Sequence, residues 1–246
     1  MNATPPRAGT PRRFDVAVQG AGVVGQTLAL LLARDRLRVA LVGTPRNTDT
    51  PDVRAYALNS ASRELLRSVR AWPESDDHAA QPSAITPVSA MQVWGDDGGA
   101  LSFSASEQGS DALTWIVDVP ALEQRLSDAV GFQGSIERLT ETPAAALTVV
   151  CEGKRSQTRD QLGLAFDVRP YAHKAVAARL RCELPHGGVA RQWFANGEVM
   201  ALLPLGGAQG NSVALVWSVP SAQADAWLQS EPSTLAQAVQ ARSANT

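Results

Sequence analysis

The segment Gly20 to Gly25 (GAGVVG) constrains the fold more than any other part of this sequence. It follows a short β-branched run, Phe14 to Gln19, and leads into an apolar stretch of helical length, Val23 to Arg34. A second apolar run, Leu37 to Val42, predicts a buried strand. Strand, glycine turn, helix and strand in about thirty residues predict a βαβ unit with a right-handed crossover.

The G-x-G-x-x-G spacing of this turn is typical of dinucleotide-binding sites when it lies between a strand and a helix. Gly20 allows the tight turn, Gly22 lets the backbone approach a pyrophosphate, and Gly25 lets the helix pack closely on the strand. The helix N-terminus, which includes Val24, adds N–H donors and a positive partial charge. We therefore predict an ADP-containing cofactor at Gly20, Gly22, Val24 and Gly25.

The acidic residue that usually follows the second strand of such a unit, where it holds a ribose hydroxyl, is missing. Val42 is followed instead by Gly43 and Thr44. We expect the ribose to be bound by other donors or more weakly.

Composition excludes several other classes of protein. Apolar residues make up 44% of the 246 residues, which predicts a globular chain with a buried core. The 22 basic and 24 acidic residues are mixed along the chain, so nucleic acid is not an expected partner. No apolar run approaches the ~18 residues of a membrane-spanning helix.

The two cysteines fit a reducing cytoplasm. The spacing of the cysteines, like that of His78, His173 and His186, predicts no metal site.

The rest of the chain alternates between predicted strands and helices. A hairpin is predicted around the Asp96–Gly99 turn, and Leu147 to Val150 is predicted to be a parallel strand. The other expected elements are a helix at Ala57 to Arg70 capped by Asn59 or Ser60, a loop at Trp72 to Pro87, a helix at Pro120 to Val130, strands at Ala175 to Leu184, Ala190 to Ala195, Glu198 to Leu203 and Ser212 to Ser218, and a helix at Ala222 to Ala241.

Several blocks resemble the FAD-dependent aromatic hydroxylases of ubiquinone biosynthesis. These are class A flavin monooxygenases, and they include the 2-polyprenylphenol and 2-polyprenyl-6-methoxyphenol hydroxylases. The resemblance runs from about Phe14 to Trp227. After the glycine turn it rests on Asp52 to Asn59, Leu65-Leu66, Trp72, Met91 to Trp94, Trp115 to Asp118, Pro185-His186, Gln192 to Phe194, Ala201 to Leu205 and Val216 to Ser218.

A second signature of the family, A-D-G-x-x-S-x-x-R, resembles Cys151 to Arg159 (CEGKRSQTR), with Glu152 in place of the aspartate. In the family this motif contributes to flavin and nicotinamide binding, which implies cofactor contacts for Glu152, Gly153 and Arg159. Arg54 matches the family arginine near the flavin pyrophosphate, where a fork of donors suits phosphate. The alternative for Arg54 is a solvated loop residue.

The resemblance implies an α/β fold with a Rossmann-like FAD-binding domain and an inserted, mostly antiparallel β-sheet substrate region. We expect a disordered tail at residues 1–13, the FAD-binding domain at 14–165 with a hairpin insertion at about 88–105, and the substrate sheet at 166–246. Family members continue into a G-D-A-A-H block. No Gly-Asp-Ala triplet occurs here, so the chain is expected to be truncated before that second FAD motif.

The implied function is FAD-dependent hydroxylation of the aromatic ring of a polyprenylphenol ubiquinone precursor, with NAD(P)H and O2 as co-substrates. The resemblance also implies a biosynthetic complex and a cytoplasmic protein with peripheral contact to the inner membrane face. No catalytic residue is predicted because the flavin supplies the chemistry. His186 is either a proton relay or, more commonly for a lone histidine, a structural residue.

Two other functions remain open at this point. The chain is either a catalytically incomplete, truncated homologue that binds a nucleotide or assists assembly, or an NAD(P)-dependent dehydrogenase that uses the same glycine turn. Arg54 and the segment Glu152 to Arg159 argue against the dehydrogenase, because a simple dehydrogenase needs neither.

Overall fold

The computed structural model describes residues 14–43, 52–73 and 83–243. The tail predicted at residues 1–13, and His78, lie outside these ranges. The strands are β1 (Phe14–Gln19), β2 (Val39–Val42), β3 (Ala55–Leu58), β4 (Ile85–Val88), β5 (Ala90–Trp94), β6 (Ala100–Ser104), β7 (Thr114–Asp118), β8 (Ile136–Leu139), β9 (Ala145–Val150), β10 (His173–Arg181), β11 (Val189–Ala195), β12 (Glu198–Leu205) and β13 (Ser212–Pro220). The helices are α1 (Val23–Arg34), α2 (Ser60–Ser68), α3 (Val119–Gly131), α4 (Gln157–Gln161), α5 (Ser221–Gln229) and α6 (Pro232–Ser243).

The described residues form two compact units that interleave along the sequence. The first unit takes residues 14–43, 69–71 and 125–166, and the second takes 52–68, 72–73, 83–124 and 167–243. The hairpin of β5 and β6 belongs to the second unit, whereas the sequence placed it within the FAD-binding domain. Its place follows from strand pairing, because β5 runs parallel to β11 in the same sheet.

The first unit contains a parallel sheet with the strand order β8-β2-β1-β9. Helix α1 packs against β1, β2 and β8. The buried side chains of Phe14, Ala17, Ala40 and Val42 form one cluster of its core. The predicted βαβ unit is thus confirmed, with the second strand beginning at Val39 rather than Leu37, and β9 is the predicted parallel strand.

The second unit contains a six-stranded sheet, β10-β13-β12-β11-β5-β6, and a three-stranded sheet, β3-β7-β4. All neighbours pair antiparallel except β11 and β5. One face of the larger sheet packs against the smaller sheet around Val88, Ile116 and Ala214. The opposite face packs against α5 and α6 around Trp217 and Val239.

The helix predicted at Ala57 to Arg70 begins later than expected. Ala57 and Leu58, predicted as helix, lie in β3, because residues Ala55–Leu58 pair with β7. The helix begins after Asn59, whose side-chain oxygen accepts a 2.9 Å hydrogen bond from the Ser62 N–H, so the predicted N-cap is confirmed.

Two other predictions also need correction. The loop predicted up to Pro87 ends earlier, since Ile85–Val88 pairs with β7 as strand β4. The single helix predicted over 222–241 is two helices, α5 and α6, because the sequence Ser230-Glu231-Pro232 interrupts it. Proline cannot continue a helix through its own N–H, but it is well suited to the first turn of the next helix.

Candidate cofactor site

The glycine turn lies at the carboxyl end of β1, which β2 and β9 flank in the sheet. The Gly20 N–H donates to the Val42 carbonyl at 2.8 Å, and the Cys151 N–H donates to the Gln19 carbonyl at 2.6 Å. Backbone hydrogen bonds therefore connect the turn region to both neighbouring strands. In open α/β sheets, ligands bind beyond the carboxyl ends of the strands at such a switch in strand order.

The three glycines of the turn differ in the space that a side chain would find at each position. Gly20 has a φ of +112°, and a Cβ there would overlap the Cys151 carbonyl. A Cβ at Gly25 would overlap the Gly20 carbonyl oxygen. A Cβ at Gly22, in contrast, would meet no atom within 4 Å. The fold itself requires Gly20 and Gly25, whereas Gly22 leaves an open approach to the backbone.

The N-terminus of α1 is free to bind an anion. Gly22 is its N-cap, makes no side-chain capping bond, and no acidic residue lies in the first turn. The first N–H groups of a helix have no partner within the helix. Val24, in that turn, is 68% exposed, which is unusual for valine and leaves the turn open to solvent. Partial positive charge and unsatisfied donors together favour phosphate.

The position of the missing ribose-binding acid is tightly packed. A Cβ at Gly43 would lie 3.0 Å from both the backbone nitrogen and the Cβ of Ala21. The approach of β2 to the glycine turn therefore disfavours any side chain at this position. The sequence showed that the acid is absent, and the structure gives the physical reason.

Gln19 is a polar group at this turn that the sequence analysis missed. Its Nε2 donates to the Thr142 hydroxyl at 2.7 Å. Its Oε1 is buried and, among the residues that the structure describes, has no hydrogen-bond partner. A buried acceptor without a partner is costly, so this oxygen is available to a ligand hydroxyl. The sequence signal was a single amide at the end of an otherwise apolar strand.

The Glu152 loop follows β9 directly and is closed by its own hydrogen bonds. Glu152 Oε2 accepts from the Ser156 hydroxyl at 2.7 Å and from the Thr158 N–H at 3.0 Å, and Oε1 accepts from the Thr158 hydroxyl at 2.9 Å. The Ser156 hydroxyl bond, followed by the Thr158 N–H bond, lowers the pKa of Glu152 below its ordinary value. The carboxylate thus shapes the loop, which begins where Cys151 meets Gly20.

Arg159 is held on the same loop by internal contacts. Its Nε and Nη2 donate to Asp160 Oδ1 at 3.0 and 2.9 Å, and its guanidinium lies 4.2 Å from the centre of the Phe166 ring. Gly153 has a φ of +71°, which glycine adopts readily, and turns the chain between Glu152 and α4. The first unit contains the predicted residues Gly20, Gly22, Val24, Gly25, Glu152, Gly153 and Arg159, and of the Glu152 loop it is the Glu152 nitrogen that lies against the glycine turn, next to Gly20.

Arg54 lies in the second unit and is engaged there. Its guanidinium pairs with Asp52 at 2.8 Å and with Glu123 at 3.1 Å, and its Nη1 donates to the Tyr56 hydroxyl at 3.1 Å. Its side chain is 38% exposed. Arg54 is therefore more than a solvated loop residue, because two carboxylates hold its planar fork in place.

His186, the candidate proton relay, has a structural role. Its Nδ1 accepts from the Gly188 N–H at 3.0 Å, so its Nε2 carries the proton and donates to the Leu205 carbonyl at 2.9 Å. Both ring nitrogens are used by the backbone, which favours the structural alternative.

The chain is similar in sequence to curated proteins of ubiquinone biosynthesis. No protein-family model matches the chain. The chain is 27% identical over 234 residues to 3-demethoxyubiquinol 3-hydroxylase of Escherichia coli (strain K12), an alignment covering 85% of this chain and 58% of the relative. It is 25% identical over 220 residues to ubiquinone hydroxylase UbiM of Neisseria meningitidis, covering 78% of this chain and 47% of the relative. The chain thus spans about half the length of the curated relatives it matches.

The fold is similar to that of a solved monooxygenase. PqsL of Pseudomonas aeruginosa, described as a probable FAD-dependent monooxygenase, superposes with a TM-score of 0.73 at 18% identity, covering 93% of this chain and 67% of that one. The chain is similar in sequence to ubiquinone hydroxylases and has the fold of the FAD-dependent monooxygenases. The expected α/β class with a Rossmann-like unit is confirmed. The Escherichia coli and Neisseria meningitidis relatives are both named as hydroxylases.

Proposed function

We propose that this chain is the FAD-binding and sheet-forming part of an FAD-dependent monooxygenase that hydroxylates the aromatic ring of a polyprenylphenol ubiquinone precursor. Its co-substrates are NAD(P)H and O2. The observation that carries the proposal is the open Gly22 at the uncapped N-terminus of α1, in a chain whose relatives are named as ubiquinone hydroxylases.

The residues of the first unit suit FAD, and each has a distinct task. The first-turn N–H groups after Gly22 bind the pyrophosphate, because they are unsatisfied and carry the positive end of the helix dipole. Gln19 Oε1 accepts from a cofactor hydroxyl. Bound FAD supplies the electron transfer and oxygen activation that no amino-acid side chain provides.

The loop from Glu152 to Arg159 is proposed to contribute its backbone, rather than the Glu152 carboxylate, to cofactor binding. Glu152 accepts hydrogen bonds from Ser156 and Thr158 with its carboxylate, and its backbone nitrogen lies next to Gly20. The carboxylate stays ionised, and donors of its own loop rather than the cofactor engage its charge. Burial raises the pKa of the Cys151 thiol, which keeps this neighbour of Gly20 neutral.

Arg54 is proposed as a further cofactor residue on the resemblance of its own segment alone, and its guanidinium pairs with Asp52 and Glu123 within the second unit. The polyprenylated substrate is proposed from the named relatives, and it entails visits to a membrane surface. None of the described helices is long and apolar enough to cross a bilayer. Membership of a biosynthetic complex is proposed on the same ground as the substrate, the names of the relatives.

Titration of the purified chain with FAD tests the proposal. We expect the visible flavin absorbance to shift on binding, and Gly22→Asp to weaken FAD binding at least tenfold. The added carboxylate would face the pyrophosphate, and tenfold corresponds to about 1.4 kcal/mol. Because a side chain at position 22 meets open space, far-UV circular dichroism of the variant should match the wild type.

Gly134→Asp is the matched control. Gly134 lies in the same unit, a Cβ there also meets no atom within 4 Å, and the substitution adds the same charge. Wild-type FAD affinity is expected for this control. Equal FAD affinity of Gly22→Asp and the wild type, or no FAD binding by the wild type, would contradict the proposal.

A further inference from the structure

A cavity of about 430 Å³ lies in the second unit, on the face of the six-stranded sheet that packs against α5 and α6. Its volume is within the range of about 300–1,000 Å³ that is typical of small-molecule sites. Strands β5, β11, β12 and β13 and the end of α6 supply its walls. The residues that matter for its chemistry are Trp94, Trp193, Trp217, Asp96, Glu198 and Arg242.

The floor of the cavity is a row of large side chains from directly paired strand positions. Trp94 pairs with Trp193, Trp193 with Met200, and Met200 with Trp217. Paired positions project from the same face of a sheet, so the row is continuous. The indoles of Trp94 and Trp193 stack with centroids 5.2 Å apart and an interplanar angle of 11°. Trp193, Met200 and Trp217 are buried, whereas Trp94 is half-buried and offers its exposed π-surface to a ligand.

The charged groups on the wall are unequal in number. Two carboxylates, Asp96 and Glu198, face the cavity with one guanidinium, Arg242. Glu198 uses Oε2 for both of its contacts, accepting from Trp217 Nε1 at 3.0 Å and pairing with Arg242 Nε at 3.4 Å. Asp96 uses Oδ1 to accept from the Asn196 N–H at 2.7 Å. Among the described residues, no donor contacts the other oxygen of either carboxylate, Asp96 Oδ2 or Glu198 Oε1.

The chain's own Arg242 already shows which chemistry this wall accepts. Its guanidinium lies 4.3 Å from the centre of a Trp217 ring while it pairs with Glu198. A planar cation is thus held between an aromatic face and a carboxylate, which is a cation–π arrangement reinforced by an ion pair. Trp94 and Trp193 repeat the aromatic face, and Asp96 repeats the carboxylate, around the remaining space.

We propose that this cavity binds a planar organic cation, such as an aromatic amidine or a protonated aromatic amine. The ring of the ligand stacks on the exposed indole surface of Trp94, which itself stacks on Trp193. Its charged group donates hydrogen bonds to the carboxylates of Glu198 and Asp96. The site lies wholly in the second unit and does not depend on the proposed flavin function.

Isothermal titration with three probes of nearly equal shape tests the ligand class. Benzamidine is the planar cation, benzamide its neutral counterpart and benzoate the anion. We expect benzamidine to bind and to quench tryptophan fluorescence, benzamide to bind at least fivefold more weakly, and benzoate to show no binding. Benzoate binding as tight as benzamidine would show that Arg242 recognises an anion and would overturn the proposal, as would a wild-type chain that does not bind benzamidine.

Two variants locate the binding. Glu198→Gln keeps an acceptor for Trp217 Nε1 and so should fold, but we expect it to weaken benzamidine at least fivefold. Trp94→Leu removes the stacking surface and should have a similar effect. Glu107→Gln, which neutralises an exposed carboxylate outside the cavity, is the matched control and should bind as the wild type does. Wild-type affinity in both cavity variants would overturn the proposed location.

Discussion

Single residues of the glycine turn show how far residue identity alone predicts a site. The motif predicted Gly20, Gly22 and Gly25 together, but only the packing separates the two that the fold requires from the one that leaves room for a ligand. For Glu152, too, the sequence predicted the position but not the contacts. Its position in the motif was visible in the sequence, whereas its inward bonds to Ser156 and Thr158 depend on the path of the loop and could not be predicted.

At this scale, Glu152→Gln gives a pH-dependent effect on stability. The pKa of Glu152 is lowered in the folded chain, mainly by the Ser156 hydroxyl, so its ionised form stabilises the fold. That contribution is complete above the ordinary carboxyl pKa and is lost as pH falls through the lowered value. We expect the variant to lose about 1 kcal/mol of unfolding free energy at neutral pH and to converge with the wild type in acid.

Urea denaturation at a series of pH values measures this difference. Glu107→Gln serves as the control at an exposed carboxylate, with no pH-dependent difference expected. A difference between Glu152→Gln and the wild type that stays constant with pH would show that the charge of Glu152 does not stabilise the loop.

At the scale of elements, local patterns predicted β1 and α1 with correct bounds because their neighbours along the chain determine them. The pattern was misleading at Ala57 and Leu58. These residues continue the apolar spacing of α2, yet they pair with β7, whose residues lie more than fifty positions later. Long-range pairing of this kind overrides local propensity and leaves no local signal.

The N-cap of α2 provides a test at this scale. Asn59→Ala removes the 2.9 Å bond from the Ser62 N–H, and we expect a loss of about 1 kcal/mol in the free energy of unfolding, measured by chemical denaturation. Asn59→Asp keeps the acceptor and should retain nearly all of the stability. Equal losses in the two variants would argue against capping as the cause.

At the scale of the whole molecule, the chain does not divide into one contiguous cofactor part and one contiguous sheet part. The six-stranded sheet combines β10–β13 with β5 and β6, which precede them by many residues. The stacked pair Trp94 and Trp193 joins these two sets of strands. No composition change marks such a partnership, so the sequence could predict the fold class but not how the units interleave.

This arrangement predicts that residues 166–246 alone will not fold cooperatively. The fragment lacks β5 and β6, which leaves the β11 edge open, and it lacks Val88 and Ile116 from a core cluster. We expect weak near-ultraviolet circular dichroism from its tryptophans and a broad thermal transition. Residues 83–246, which restore these elements, should give stronger tryptophan signals. A sharp transition in the shorter fragment would contradict this view of the sheet.

The pairing of β1 with β9 also determines when the glycine turn can be completed during synthesis. The turn leaves the ribosome early, but the strand that flanks β1 on its open side, Ala145–Val150, follows only after the segments of the second unit that precede residue 125 have been made. Until then, the nascent chain must keep β1 and its apolar helix from unproductive association. Contacts of such high sequence separation slow folding and prolong exposure of the unpaired strand. The glycine turn is thus translated before the strand that completes it.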